Sequence, residues 1–224
     1  MPSRLRPTAS LAAEAILVGD PGRALLLAQE LLEQPKMSNH ARGLWGYTGV
    51  AKDGGRLLTI QSTGIGGPSA ALVLGELAEL GVRRAIRVGT CVGIGEEAEL
   101  GKLLIVGEAI AVGGSAVAQG ASPGEAVPTD AGLSDLLAAA LEDPGQEGAT
   151  IASLDTYPRG EAESVAIAAD MQTAPLLARA RALEIPVTAL LIVAEKAGED
   201  PLGPEALAEL EKRAGNLARN ALSP

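Results

Sequence analysis

The chain has 224 residues, 47% hydrophobic but only 1% aromatic, with no Phe, one Cys and a formal net charge of −10. These totals provide for one domain or two small ones with a core of Leu, Ala, Val and Ile, and they exclude nucleic-acid binding by a broad basic face. One Cys excludes an intrachain disulfide, no apolar run is long enough to span a membrane, and the start MPSRLRPTAS lacks the apolar stretch of a signal peptide, so a cytoplasmic protein is expected.

Residues 1–13 read as an irregular arm. Ala15-Ile16-Leu17-Val18 is a short buried strand that runs into the turn Gly19-Asp20-Pro21-Gly22-Arg23. A helix follows, with Leu25, Leu26, Ala28, Leu31 and Leu32 as its apolar face and Pro35 as its stop. Residues 36–49 are polar and Gly-rich, with Trp45 and Tyr47 expected to fill a packed joint. Lys52-Asp53-Gly54-Gly55 reads as a hairpin turn into a strand at Leu57.

The stretch Leu57–Gly95 organises the chain. Its first apolar run ends in the glycine loop Gly64-Ile65-Gly66-Gly67, and Pro68 suits the first turn of a helix, where its missing N–H costs nothing. Leu72, Val73, Leu77 and Leu80 recur at helical spacing before Gly81. The run Ala85-Ile86-Arg87-Val88 then leads to a second small-residue loop, Gly89-Thr90-Cys91-Val92-Gly93. This is a βαβ unit with both glycine loops at the carboxyl ends of strands, where open α/β sheets bind ligands.

Beyond an acidic stretch (Glu96, Glu97, Glu99), strands are expected at 103–106 and 109–112, then a long loop over 113–129. Asp130 caps a helix through Leu141. Strands at 149–154, 165–169 and 187–193 and helices at 174–183 and 204–222 complete one α/β domain, with no internal linker.

The polar residues at the strand ends are Asp20, Arg23, Gly66, Arg87, Thr90, Asp155, Asp170, Gln172 and Glu195. Strand ends on one edge of a sheet converge, which suits a substrate with an anionic part and several hydroxyls. Arg87 interrupts a buried β-run, so its guanidinium meets either an internal carboxylate or an anionic ligand. Arg23, taken alone, reads as a surface charge at a helix start. Gly64-x-Gly66 has Ser69 where a dinucleotide fingerprint wants its third Gly, and Gly101-Lys102-Leu103 is no P-loop. The only His, His40, lies in a polar stretch and reads as a surface residue. Cys91 reads as a packing residue, and no metal site is expected.

The segments LVGDPGRA, ARGLWGYTG, TGIGGPSAALVLGELAELGVRRAIRVGTC and ADMQTAPLLARA resemble the nucleoside phosphorylase-I family, which includes hexameric purine nucleoside phosphorylase and uridine phosphorylase. The resemblance implies a single α/β domain over residues 1–224, three-layered α/β/α, with a mixed, partly barrel-like central sheet. It implies phosphorolysis: phosphate attacks the anomeric carbon of a nucleoside, releasing base and ribose 1-phosphate, with no metal or organic cofactor. Gly19 and Arg23 in the GDPxR loop and Arg87 and Thr90 in RVGT would hold phosphate, joined by Arg42 from a neighbouring subunit in a dimer-based hexamer. Tyr157 falls near the base-stacking aromatic. Asp170-Met171-Gln172 stands where the family's ribose motif is usually Glu-Met-Glu, with Met171 packed under the sugar and Gln172 replacing the carboxylate that accepts from the 2′- and 3′-hydroxyls. Glu195, preceded by Ala194 rather than Ser, stands at the place of the Asp general acid and joins Arg87 as a catalytic residue. No His precedes His40, so the His that touches the ribose 5′-hydroxyl has no counterpart. The Gln and Arg that grip uracil have no clear match either, so purine is favoured. The expected partners are nucleoside and phosphate, not nucleic acid or membrane. The alternatives are a weakly active or non-catalytic paralogue that binds nucleosides or phosphosugars, a uridine phosphorylase, and a nucleosidase, the last disfavoured by the intact GDPxR loop.

Overall fold

Ten strands form one mixed sheet in the computed structural model, which describes residues 4–52, 55–141, 148–158 and 166–223. In chain order the elements are β1 (Glu14–Val18), α1 (Pro21–Leu31), β2 (Leu32–Asn39), a short 3-10 turn (Ala41–Gly43), β3 (Gly46–Ala51), β4 (Leu57–Ser62), α2 (Gly67–Glu79), β5 (Arg84–Gly93), β6 (Leu103–Ala111), α3 (Gly114–Val117), β7 (Ala126–Pro128), α4 (Ala131–Ala140), β8 (Ala149–Ser153), β9 (Ala168–Asp170), α5 (Thr173–Leu183), β10 (Val187–Lys196) and α6 (Pro204–Ala221).

The long strand β5 places the site. Its first half lies parallel between β1 and β10. Leu17↔Arg87 is the last pair it makes with β1, and beyond it β5 takes β9 as an antiparallel neighbour at Val92 and Gly93. The strands β5, β10, β6, β8 and β9 thereby close into a ring, while β1, β4, β3 and β2 extend as an open wing. The sheet splits next to Arg87, and a crevice at the carboxyl ends of parallel strands is the expected place for a ligand.

Alternation along β5 sorts the core. Ile86 and Val88 face a layer built with α1, α4 and α6, whereas Ala85 faces a layer built with α2, α3 and α5. Cys91, with Leu191, Val193, Leu104 and Ile151, fills the inside of the ring. Two helices start as their sequences dictate: Asp20 caps α1 by accepting from the Arg23 N–H at 2.8 Å, and Asp130 caps α4 by accepting from the Leu133 N–H at 2.9 Å. Each such cap is worth about 1 kcal/mol. The arm is tied down at its described end, where the Arg4 and Leu5 N–H groups donate to the buried carboxylate of Glu76.

Several expected boundaries move. The first helix ends at Leu31, before Pro35, because Leu32 passes directly into β2. Residues 36–49, polar and Gly-rich, supply half of β2 and most of β3. The edge strand β2 exposes residues 33–37, so no apolar period marks it, and Pro35 is tolerated there because an edge strand need not use every N–H. The two strands expected at 103–112 are one, bulged between Val106 and Glu108. Gly107 allows this, since a Cβ there would lie 2.8 Å from the Gly148 backbone. The long loop 113–129 contains α3 and β7. Asp53 and Gly54 of the expected hairpin turn lie outside the described residues, as do Arg159 and Gly160 of the loop after β8 and Val165 of the expected strand 165–169; β3 and β4 do pair antiparallel on either side of that turn.

Candidate active site

A cavity of about 620 Å³ opens at the split in the sheet. Its walls are Gly19, Asp20 and Arg23 at the start of α1, the Gly64–Gly66 loop before α2, Arg87, Thr90 and Cys91 of β5, Asp170–Gln172 after β9, Ala194 and Glu195 of β10, and Tyr157. The first turn of α1 and Gly66, the N-cap of α2, border it, so helix N-termini add partial positive charge to that of the two arginines, offset at α1 by its capping Asp20 carboxylate.

Arg87 is 5% exposed and held from three sides. Its Nε donates to Thr173 Oγ1 at 3.2 Å, Nη1 to Gln172 Oε1 at 2.9 Å, and Nη2 to Asp170 Oδ2 at 2.9 Å. One N–H on each terminal nitrogen is left uncommitted among the described residues, on a residue that lines the cavity. Of the two sequence readings of Arg87, the internal carboxylate is present in Asp170. The Asp170 carboxylate is itself anchored: Ser153 Oγ donates to Oδ1 and Thr173 Oγ1 to Oδ2, each at 2.6 Å, and the Thr173 N–H adds a third donor. Gly89 makes the fold of Arg87 possible, because a Cβ at 89 would lie 2.6 Å from its Cζ.

Gln172 links this network to the glycine loop. Its Nε2 donates to Gly64 O at 2.5 Å and to Gly66 O at 3.4 Å, while Oε1 also accepts from Thr63 Oγ1 at 3.3 Å. Arg87 bonds the same Oε1, and the single Thr63 hydroxyl proton also has Val18 O as an acceptor at 3.0 Å. Gly64 and Gly66 carry positive φ of 73° and 83°, a backbone that side chains disfavour.

Arg23 is 9% exposed, and its Nε donates to Glu211 Oε1 of α6 at 2.6 Å. On the other wall, the pairing of β10 with β5 shifts register between Val193 and Glu195, so that Val193 faces Cys91 and Glu195 faces Val92. Such a bulge re-aims the side chain that follows it, here the Glu195 carboxylate on the cavity wall. Tyr157 OH donates to Glu195 Oε1. Partial burial and the Glu195 carboxylate push the phenol up to about 12, so it remains a donor at neutral pH. Burial, with Asp170 adding to it, pushes the Cys91 thiol well above its ordinary value, which makes it packing and not a nucleophile. Among the described residues, no group of three or more His, Cys, Asp and Glu could hold a metal ion, and no helix is long and apolar enough to cross a membrane.

The sequence model of the phosphorylase superfamily matches residues 14–223. The chain belongs to the phosphorylase superfamily. It is 39% identical over 100 residues to a purine nucleoside phosphorylase DeoD-type of Clostridium beijerinckii, covering 44% of this chain and 41% of the relative. It is 44% identical over 82 residues to the one of Oceanobacillus iheyensis, covering 36% and 34%. The alignments thus span less than half the length of these curated relatives. In fold, the chain matches the crystal structure of a uridine phosphorylase from Vibrio fischeri complexed with 6-hydroxy-1-naphthoic acid, with a TM-score of 0.83 and 24% identity over 95% of this chain and 91% of that one. The mixed sheet, partly closed into a barrel between helical layers, is the phosphorylase fold.

Within this superfamily fold the cavity gathers Gly19, Arg23, Arg87, Thr90, Tyr157, Asp170, Met171, Gln172 and Glu195 from five separate stretches of chain. Two strand-end or motif residues stand apart from it. Asp155 bonds the backbone N–H and hydroxyl of Ser115, so its carboxylate fastens the start of α3 and does not face the cavity. Arg42 is exposed in the 3-10 turn at a positive φ of 60°, with no hydrogen bond or ion pair to the described residues. The surface-charge reading of Arg23 fails because α6 covers it and supplies Glu211. Sequence reasoning missed Ser153, Thr173 and Glu211, and it read Gly89 as the start of a loop where β5 runs on to Gly93. Two of these left a signal: Gly89 follows Arg87 by two, on the same strand face, and Glu211 lies at helical spacing with the buried Ala214, Ala218 and Ala221.

Proposed function

We propose that this chain is a nucleoside phosphorylase acting on purine nucleosides. Phosphate held by Arg87, Arg23, Thr90, Gly19 and the glycine-loop amides attacks the anomeric carbon of the sugar. The C–N glycosidic bond breaks, its electron pair passes to the base, and Glu195, entering the step as the protonated carboxylic acid, gives its proton to the departing base nitrogen and leaves as the carboxylate. Free base and ribose 1-phosphate result. One observation carries the reading: a buried Arg87, immobilised by Asp170, Gln172 and Thr173, keeps two N–H groups for a cavity that two helix N-termini also border. That arrangement suits a bidentate grip on phosphate oxygens. A fixed donor set also orients the nucleophile before reaction.

Tyr157 and Met171 serve the nucleoside, the first against the base and the second under the sugar. Asp170 and Gln172 act on the same ligands chiefly by holding Arg87 and the Gly64–Gly66 loop. The names of the purine nucleoside phosphorylase relatives support a purine base. We further propose a homo-oligomer, a hexamer built from dimers, in which Arg42 completes the partner's phosphate site. Its exposure and its lack of a partner among the described residues support this.

The test is base release from a panel of purine and pyrimidine nucleosides, with and without phosphate. Purine release that requires phosphate is the expected result. Release in the absence of phosphate indicates a nucleosidase, and binding without turnover indicates a non-catalytic paralogue.

A further inference from the structure

We infer that Glu211, in the last helix and outside the cavity, is the positioning residue for Arg23, setting which edge of that guanidinium meets the anion. The inference rests on Arg23 as an anion-binding group.

Arg23 is fixed at both ends. Its backbone N–H donates to the capping Asp20 carboxylate at 2.8 Å, and its Nε donates to Glu211 Oε1 at 2.6 Å. Glu211 makes no other hydrogen bond among the described residues and is 7% exposed, so a buried carboxylate is devoted to this one contact. The contact is single and uses Nε. Arg–carboxylate pairs are frequently bidentate, with two parallel N–H groups on the carboxylate. Here the terminal nitrogens have no partner among the described residues, and Arg23 lines the cavity whereas Glu211 does not. The edge that matches two phosphate oxygens is the one kept free.

Helix packing brings the pair together. At Gly215 a Cβ would lie 2.6 Å from Leu27 Cδ2, so α6 sits on α1 at a distance that only glycine allows. Glu211 lies one turn before Gly215, and Arg23 one turn before Leu27, which places them opposite each other across the same interface. A buried ion pair contributes little net stability in itself, which leaves orientation as the role the geometry supports.

The experiment measures phosphate binding by calorimetry, and the Michaelis constants for phosphate and nucleoside, in the full chain and in Glu211→Ala, Glu211→Gln and Arg23→Ala. In Glu211→Ala the phosphate Kd and KM should rise about tenfold, the scale of one lost oriented contact, while the nucleoside KM moves far less and kcat at saturating phosphate falls less than phosphate KM rises. Glu211→Gln should recover most of the loss, because its amide oxygen still accepts from Nε. If Glu211→Ala does not fold, Glu211→Asp decides: its shorter carboxylate cannot reach Nε, and phosphate affinity should fall. Wild-type phosphate affinity in folded Glu211→Ala or Glu211→Asp, with Arg23→Ala defective, overturns the positioning role alone. Wild-type affinity in Arg23→Ala overturns it together with the assignment of Arg23 to the anion site.

Discussion

Replacing Gly89 by Ala adds one methyl group and removes no charge, yet it should impair phosphate binding. The added Cβ would lie 2.6 Å from both Cζ and Nη2 of Arg87 and 2.7 Å from Nη1, against ordinary contact from 3.4 Å, so the guanidinium must retreat by about 0.8 Å. The side chain is flexible, but its end is not free: it is 5% exposed and holds Asp170, Gln172 and Thr173 at 2.9, 2.9 and 3.2 Å. A displacement of that size breaks at least one of these bonds. A hydrogen bond to a charged group contributes about 1.5–3 kcal/mol. For a chain of this length that loss lowers Tm by roughly 3–12 °C. The two N–H groups left for the anion move with the guanidinium, and phosphate affinity should fall about tenfold to a hundredfold. Calorimetric titration with phosphate and a thermal melt read both effects. An alanine variant with unchanged Tm and unchanged phosphate affinity would show that Arg87 has room to move without consequence, and would refute the idea of an immobilised guanidinium.

Gln172→Glu should weaken the site. The carboxylate cannot donate to Gly64 O and Gly66 O as the amide does, so the loop loosens at a cost of about 1–3 kcal/mol, measurable by denaturant titration, with KM rising for both substrates. Tighter nucleoside binding in this variant would instead make residue 172 a direct acceptor for the sugar hydroxyls. Tyr157 and Tyr47 both have phenols raised above 10.0, Tyr157 to about 12, in each case first by burial. Well below pH 10 neither folded nor unfolded chains carry tyrosinate, whereas from about pH 10 to about 12 the unfolded chain is the more ionised. Stability should therefore fall across that window, and an ultraviolet titration of the folded protein should show little tyrosinate at pH 10. Mixing Arg42→Ala with Arg87→Ala subunits should restore part of the activity lost in each, since some hybrid sites then hold both arginines. Proven subunit exchange without recovery would remove Arg42 from a shared site.

The sequence made the strand–loop–helix order legible wherever the elements carry their own local signals. The Asp130 cap, the glycine loop with Pro68, and the apolar run 187–193 need no distant partner to be recognised. The strands β2 and β3 do: Glu33, Gln34 and Lys36 are exposed, and only pairing with residues 46–51 makes their segment a strand. Closure of the ring is equally non-local, since it depends on β9, three residues long, reaching Val92 and Gly93. The site was read through the residues at strand ends, and that logic collects the cavity wall. It does not show which polar groups are already taken. Asp155 sits at a strand end like the others but fastens Ser115, and Glu211, near the end of the chain, bonds to Arg23 near its beginning. The bulge that aims Glu195 is also invisible to a period-two pattern, because one extra residue changes the face without changing composition.

The most direct test of the account is the fate of the phosphate. The protein is incubated with a purine nucleoside and inorganic phosphate, and the products are followed by phosphorus NMR alongside base release. A new phosphate monoester on the anomeric carbon should form in equal amount to the free base and be absent from the Arg87→Ala variant. Free base accompanied by unesterified phosphate and free sugar would contradict it.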